Sequence, residues 1–216
     1  MNETPTTEPA ETVGEIVSLL VKERVISQDQ LRYALRVHAK IQSTKTLIDV
    51  LQDLEYLSRD DVARSLRKNT PSIRIGDVLV ELGYLLKSDL LAALSLQKEG
   101  TEHKMLGDIF IENGFIEERK LVEVLSFQLG FPVAELEFRK LDRKLFSRAP
   151  VQVFRDALFV PIATEQGVVS VAFANPLERR SREAAETVFG LSLQPAIASR
   201  KSILAAIAAM ENSAGN

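Results

Sequence analysis

Residues Arg74–Gln97 read RIGDVLVELGYLLKSDLLAALSLQ, and residues Met105–Gln128 read MLGDIFIENGFIEERKLVEVLSFQ. Each stretch reads apolar-Gly-Asp near its start, at Ile75-Gly76-Asp77 and Leu106-Gly107-Asp108. Each has a glycine in the middle (Gly83, Gly114), two later leucines (Leu90 and Leu94, Leu121 and Leu125) and a terminal glutamine. The spacer between them is Lys98–Lys104. Apolar residues at i, i+3 and i+4 line one face of a helix, so the second half of each stretch reads as an amphipathic helix. A glycine just after the first half suits the left-handed conformation that ends a helix.

The pattern extends upstream. The sets Leu31/Ala34/Leu35/His38, Val62/Ser65/Leu66/Asn69, Leu90/Ala93/Leu94/Gln97 and Leu121/Val124/Leu125/Gln128 share one spacing. Their first members lie 31, 28 and 31 residues apart. An alternating interval predicts two tandem pairs rather than four equal units. Each unit also has an earlier helix, over about 13–24, 45–54, 74–82 and 105–113. Ser27 with Gln30 and Ser58 with Asp61 have the spacing of side-chain N-caps. Each unit therefore reads as helix, tight turn, helix. A unit this small cannot bury its own stripe, so neighbouring units must stack. The upstream pair has Arg24 and Glu55 at the glycine positions, and His38 and Asn69 at the glutamine positions. Gly14-Glu15-Ile16 resembles the Gly-Asp-apolar start about one helical turn early.

Beyond Gln128 the texture changes. LGFPVAELEF leads into a polar segment, followed by two β-rich runs, Phe159–Ala163 and Val168–Ala174, with Gln166-Gly167 as the turn between them. Asn175-Pro176 breaks the second run. A helix is expected over Ser181–Phe189 with Gly190 as its cap, then a strand over Leu191–Ala198. Ser199 is the expected cap of a last helix over Ser202–Met210. The fold class is α+β: four helix-turn-helix units in two pairs, then a small α/β sandwich. The expected divisions are a disordered lead (1–12), a degenerate repeat pair (13–70), the clearer pair (71–130), the α/β module (131–210) and a tail (211–216).

Composition narrows the function. The chain has 216 residues and a formal charge of −3, which gives no basic face for DNA or RNA. It has no cysteine, so disulfides and thiolate metal sites are excluded, and its two histidines, His38 and His103, have no metal-ligand spacing. No apolar run reaches the ~20 residues that cross a bilayer, and the acidic start is unlike a secretory signal. A cytoplasmic setting is expected. GxxxxGK[ST] is absent, and no Ser/His/Asp set has a motif context. The acidic pairs Asp60-Asp61 and Glu117-Glu118 fall at helix starts, where carboxylates favour the dipole. Glu178-Arg179-Arg180-Ser181-Arg182 reads as a solvated helix entrance, and Tyr33 and Phe127 as packing residues.

The paired motif suggests a binding site. Gln97 and Gln128 each end an apolar face with an amide, which carries a donor and an acceptor suited to a nucleobase edge. Gly76 and Gly107 allow close approach to the backbone, and Arg74 can pair with phosphate or stack on a base. Two such units would offer two base sites and a phosphate site, the shape of a symmetric dinucleotide. Plain hairpin packing with small residues at close contacts would produce the same pattern.

These residues resemble the MshEN domain of type II secretion and type IV pilus ATPases, whose motif is RLGxx, two aliphatics, xxG, two aliphatics, xxxxLxxxLxxQ, given twice. The first copy here is Arg74-Ile75-Gly76, Leu79-Val80, Gly83, Leu85, Leu90, Leu94, Gln97, and it departs at Ile75 and Tyr84. The second is Met105-Leu106-Gly107, Phe110-Ile111, Gly114, Phe115-Ile116, Leu121, Leu125, Gln128. It departs at Phe110, Phe115 and Met105, where the family has a basic residue. Lys104 stands beside Met105, and the spacer is longer than the family's. Val160-Pro161, VVSVAFANP, Phe189-Gly190 and Ala198-Ser199-Arg200 are similar to the second N-terminal module of the same ATPases.

The resemblance implies cyclic di-GMP as ligand, with no other cofactor required. The implied binding residues are Arg74, Ile75, Gly76, Asp77, Leu79, Gly83, Leu94, Gln97, Leu106, Gly107, Asp108, Gly114, Leu125 and Gln128. It also implies a non-catalytic regulatory adaptor, without the ATPase domain, that docks on a secretion, pilus or motility motor. The alternative is a scaffold of the same machinery that binds protein and no nucleotide.

Overall fold

Four short helices end on one and the same turn. The computed structural model describes residues 13–41, 44–70, 73–100, 104–190 and 192–214. The expected lead, His103 and the last two residues of the expected tail lie outside the described residues. The chain divides into two compact units, Met1–Phe115 and Ile116–Asn216. This division falls inside the stretch 71–130 that the sequence suggests as one repeat pair.

The first unit contains α1 (Glu15–Lys22), α2 (Gln28–Lys40), α3 (Leu47–Asp53), α4 (Arg59–Lys68), α5 (Ile75–Glu81), α6 (Lys87–Glu99) and α7 (Leu106–Glu112). The turns after α1, α3, α5 and α7 place Arg24, Glu55, Gly83 and Gly114 at φ of 60°, 57°, 73° and 69°. At each, two amides reach back to the last carbonyls of the helix: Gly83 N to Val80 O at 3.0 Å and Tyr84 N to Leu79 O at 2.8 Å, for example. Arg24/Val25, Glu55/Tyr56 and Gly114/Phe115 repeat those bonds at 2.9–3.0 Å. This is the Schellman closure, which satisfies carbonyls a helix end would leave unpaired. Arg24 and Glu55 thus hold the same left-handed place as the glycines, although their Cβ atoms make that conformation costly.

The repetition is regular over 59 positions. Bounds of α2 and α6 differ by 59 at both ends, as do those of α3 and α7. Ser27 and Ser58 cap α2 and α4 in full capping boxes with Gln30 and Asp61, and Thr46 does the same for α3 with Asp49. The apolar stripes face inward: Leu31, Ala34, Val62, Leu66, Leu90 and Ala93 are all buried. Helix α1 packs on α4 and α5, α2 on α3, and α6 on both α5 and α7.

The second unit begins with α8 (Glu118–Leu129). After a 3-10 turn at Phe138–Lys140 come α9 (Arg143–Phe146), α10 (Val151–Asp156), β1 (Phe159–Glu165), β2 (Val168–Phe173), α11 (Arg179–Phe189), β3 (Leu193–Ile197) and α12 (Arg200–Ala214). The sheet order is β1-β2-β3, with β1/β2 antiparallel and β2/β3 parallel. Gln166 and Gly167 both have positive φ, 50° and 80°, as a two-residue hairpin turn of matching twist requires. The parallel pairing of β3 needs a crossover, and α11 supplies it. A bulge at Ile162 frees its carbonyl to accept from the Asp142 amide at 2.9 Å. Phe154 anchors the core, its ring centroid 5.0 Å from Phe146 and 5.2 Å from Phe159. Val133 bridges Ile197, so the Pro132–Ala134 segment adds a short edge beside β3.

The expected strands and helices of this unit are present, and Ser199 caps α12 as its spacing suggests, accepting from the Ser202 amide at 3.0 Å. Helix α12 runs through Ala214, four residues into the expected tail. Ala205, Ala206, Ala208 and Ala209 precede those residues, and such strong helix formers carry the helix on. The segment read as merely polar contains α9 and α10, both too short to show a helical period.

Candidate ligand-binding segments

Twelve of the fourteen candidate residues lie in the first unit, and Leu125 and Gln128 lie in the second. Arg74 is the exposed N-cap of α5. Ile75 and Asp77 are half-buried in its first turn, and the Asp77 amide donates to Arg74 O at 3.1 Å. Gly76 and Leu79 are buried. A Cβ on Gly76 would stand 2.6 Å from Leu90 Cδ1, so the bare Cα makes room for the Leu90 side chain of α6. Leu106, Gly107 and Asp108 open α7, half-buried, and Gly83 and Gly114 are exposed in their turns. Leu94 is half-buried on α6.

Gln97 is half-buried, and its Nε2 donates to Lys104 O at 2.8 Å, tying the end of α6 to the start of α7. His38, 59 positions earlier, places Nε2 3.0 Å from Lys45 O. The lysines repeat as well: Lys104 pairs with Glu112 at 2.8 Å and Lys45 with Asp53 at 2.5 Å. The residue that ends the α2 or α6 stripe therefore bonds the loop that follows, and a ring nitrogen serves as well as an amide. In the second unit Leu125 is half-buried, and Gln128 is 3% exposed near the end of α8. Asn69, at the corresponding place on α4, donates to Glu23 Oε1 at 3.0 Å and to Ser65 O at 2.9 Å. That donation, with Lys68 at 3.1 Å, holds the Glu23 carboxyl below the usual glutamate range.

Glu81, the last residue of α5, carries no motif signal. Its carboxylate accepts from Ile16 N at 3.0 and 3.1 Å and from Val17 N at 3.3 Å, so it caps α1 from 65 positions away. Gly14 makes room for it, since a Cβ there would lie 2.2 Å from Glu81 Cδ. Burial raises the Glu81 pKa above the usual glutamate value, and the Asp77 charge adds to this. The amides of Ile16, Val17 and Glu15 pull the other way. The one clue in the sequence is the displaced Gly14-Glu15-Ile16. Among the described residues no cluster of three or more His, Cys, Asp or Glu could hold a metal ion. No helix among them is long and apolar enough to cross a membrane.

The family model of the MshEN domain matches residues 129–216. The matched stretch is the α/β part of the second unit, whereas the paired motif that suggests the family lies upstream. A solved structure of MshE with cyclic di-GMP is similar over 63% of this chain and 97% of that one, at 26% identity and a TM-score of 0.54. The N-terminal domain of XpsE is similar over 63% of this chain and 92% of that one, at 20% identity and a TM-score of 0.49. The type IV pilus assembly ATPase PilB of Thermus thermophilus is 28% identical over 139 residues, 62% of this chain. The chain spans 15% of the length of that relative. MshE and a type IV pilus assembly ATPase are thus proteins that this chain resembles over part of its length.

Proposed function

We propose that the chain is a non-catalytic regulatory adaptor of a type II secretion, type IV pilus or motility system. It senses cyclic di-GMP through residues 74–128 and docks on a motor or other protein of that machinery in the cytoplasm. One observation carries the reading: the similarity to MshE solved with cyclic di-GMP covers nearly all of that chain. The two-copy motif, Arg74-Ile75-Gly76-Asp77 to Gln97 and Leu106-Gly107-Asp108 to Gln128, supports it. Leu79, Gly83, Leu94, Gly114 and Leu125 complete the proposed set. Similarity to secretion and pilus ATPases, with no phosphate-cradling lysine loop in these 216 residues, supports a regulatory or docking role over a catalytic one.

The test is calorimetric titration of the chain with cyclic di-GMP, beside Arg74→Ala. The reading requires heat of binding in the first and a loss of about tenfold or more in the second, the order expected when a charged hydrogen bond is removed. No heat at high micromolar ligand would refute sensing. A second reading, a scaffold that binds protein alone, is favoured by Gln97, whose donor already serves Lys104 O just as His38 serves Lys45 O. Under that reading Arg74→Ala and Gln97→Ala leave partner pull-down unchanged and no nucleotide binds.

A further inference from the structure

We infer that Glu81 is a positioning residue for the proposed ligand segment, because it pins one end of α5 to α1 while Arg74–Asp77 occupy the other end. This inference rests on the reading of residues 74–128 as nucleotide-binding, and it adds a coupling between that segment and the upstream repeat pair.

Helix α5 has seven residues, Ile75–Glu81. A helix of two turns has almost no stability of its own in water, so its order comes from what holds it. Besides the buried Val78 and Leu79 and the closure by the Gly83 and Tyr84 amides, two fixings tie it to neighbouring helices. Near the start, Gly76 lies against Leu90 of α6, with no room for a Cβ. At the end, the Glu81 carboxylate takes the amides of Ile16 and Val17 at 3.0–3.3 Å and rests on the bare Cα of Gly14. Asp77 and Glu81 are four residues apart, on one face of the helix. A single carboxylate therefore joins the first repeat pair to the helix that begins with the motif.

Releasing Glu81 removes the hydrogen-bonded tie of α5 to α1 and loosens the placement of α5, including Arg74–Asp77. A ligand that requires Arg74–Asp77 in place then meets a smaller fraction of competent protein, and its apparent affinity falls by that fraction. Linkage makes the effect mutual. A ligand that stabilises the ordered α5 must also tighten Glu81 on the Ile16 and Val17 amides, by the same factor.

The test uses the full chain and cyclic di-GMP. Calorimetry on wild type, Glu81→Ala, Glu81→Gln and Asn69→Ala is paired with hydrogen exchange of wild type with and without ligand. Glu81→Ala is expected to weaken binding about fivefold or more, the lower end of typical coupling between sites. Glu81→Gln keeps an acceptor oxygen and falls between wild type and Glu81→Ala. Asn69→Ala breaks the Glu23 contact in the first pair without touching α5, and it leaves affinity unchanged. Ligand slows exchange at Ile16 and Val17 in wild type, a readout that stands even if a variant fails to fold. Equal affinity for wild type and Glu81→Ala, with exchange at those amides unmoved, overturns the coupling and leaves sensing intact. A loss in Asn69→Ala equal to that in Glu81→Ala overturns the positioning role in favour of general loosening. Absence of binding by wild type overturns the sensing reading and the coupling together.

Discussion

Glu55 and Gly114 are 59 positions apart and hold the same left-handed turn, at φ of 57° and 69°. Exchanging their chemistry one at a time should move stability in opposite directions. A Cβ in this conformation costs about 1–2 kcal/mol. Glycine gives back about 0.4–1 kcal/mol of that through the extra freedom of its unfolded chain. The difference is about 0.5–1 kcal/mol. Glu55 is exposed, and a Cβ on Gly114 would meet nothing within 4 Å among the described residues, so packing adds little at either site. Glu55→Gly should therefore stabilise the first unit and Gly114→Ala should destabilise it, each by that amount. With a urea slope of about 2 kcal/mol/M, the midpoint moves by roughly 0.3–0.5 M. The chain has no tryptophan, and its tyrosines, Tyr33, Tyr56 and Tyr84, all lie in the first unit. Tyrosine emission during equilibrium urea unfolding thus reports the relevant transition. Midpoint shifts of the same sign in both variants, at unchanged slope, would refute the shared left-handed closure.

Three further outcomes follow from the geometry. Glu81 has a raised pKa in the fold, so its contribution is full below the unfolded-state value and is lost as pH rises through the folded one; Glu23, with a lowered pKa, behaves oppositely and loses its contribution as pH falls. Glu81→Gln should consequently gain on wild type as pH rises from about 4 to about 8, read as the difference in urea midpoint; a constant difference would show that burial does not perturb this carboxyl. Gly76→Ala drives a methyl to 2.6 Å from Leu90 Cδ1 and should cost about 1–3 kcal/mol, measured the same way. Gln97→Leu and His38→Leu each remove one side-chain bond to the next loop and should each cost about 0.5–1.5 kcal/mol, with unequal losses beyond that range speaking against a common role.

Much of the first unit was legible because its signals are local. Gly83 and Gly114 announce their turns by chemistry, and Ser27/Gln30 and Ser58/Asp61 by spacing. Thr46/Asp49 has the same spacing and forms the same box. Arg24 and Glu55 take a conformation their own chemistry disfavours, so only their place in the repeat gives them away. Long-range contacts leave no such mark: Glu81 meets Ile16 across 65 positions, and nothing near Glu81 in the chain signals it. The candidate site was legible as a motif. The bond of Gln97 to Lys104 was not, because an amide at a helix end looks alike whether it faces a ligand or its own loop. In the second unit the hairpin at Gln166-Gly167 and the last helix were plain, whereas α9 and α10 are shorter than the window in which periodicity can be seen.

The order of strands in that unit has a bearing on synthesis. Strand β2 pairs with β1 through a two-residue turn, but its other edge waits for β3, which follows about two dozen residues later. At a translation rate of roughly 5–20 residues per second, VVSVAF presents an unpaired apolar edge for roughly 1–5 s. Nascent chains that stall within α11 expose the kind of edge that recruits strands from other chains.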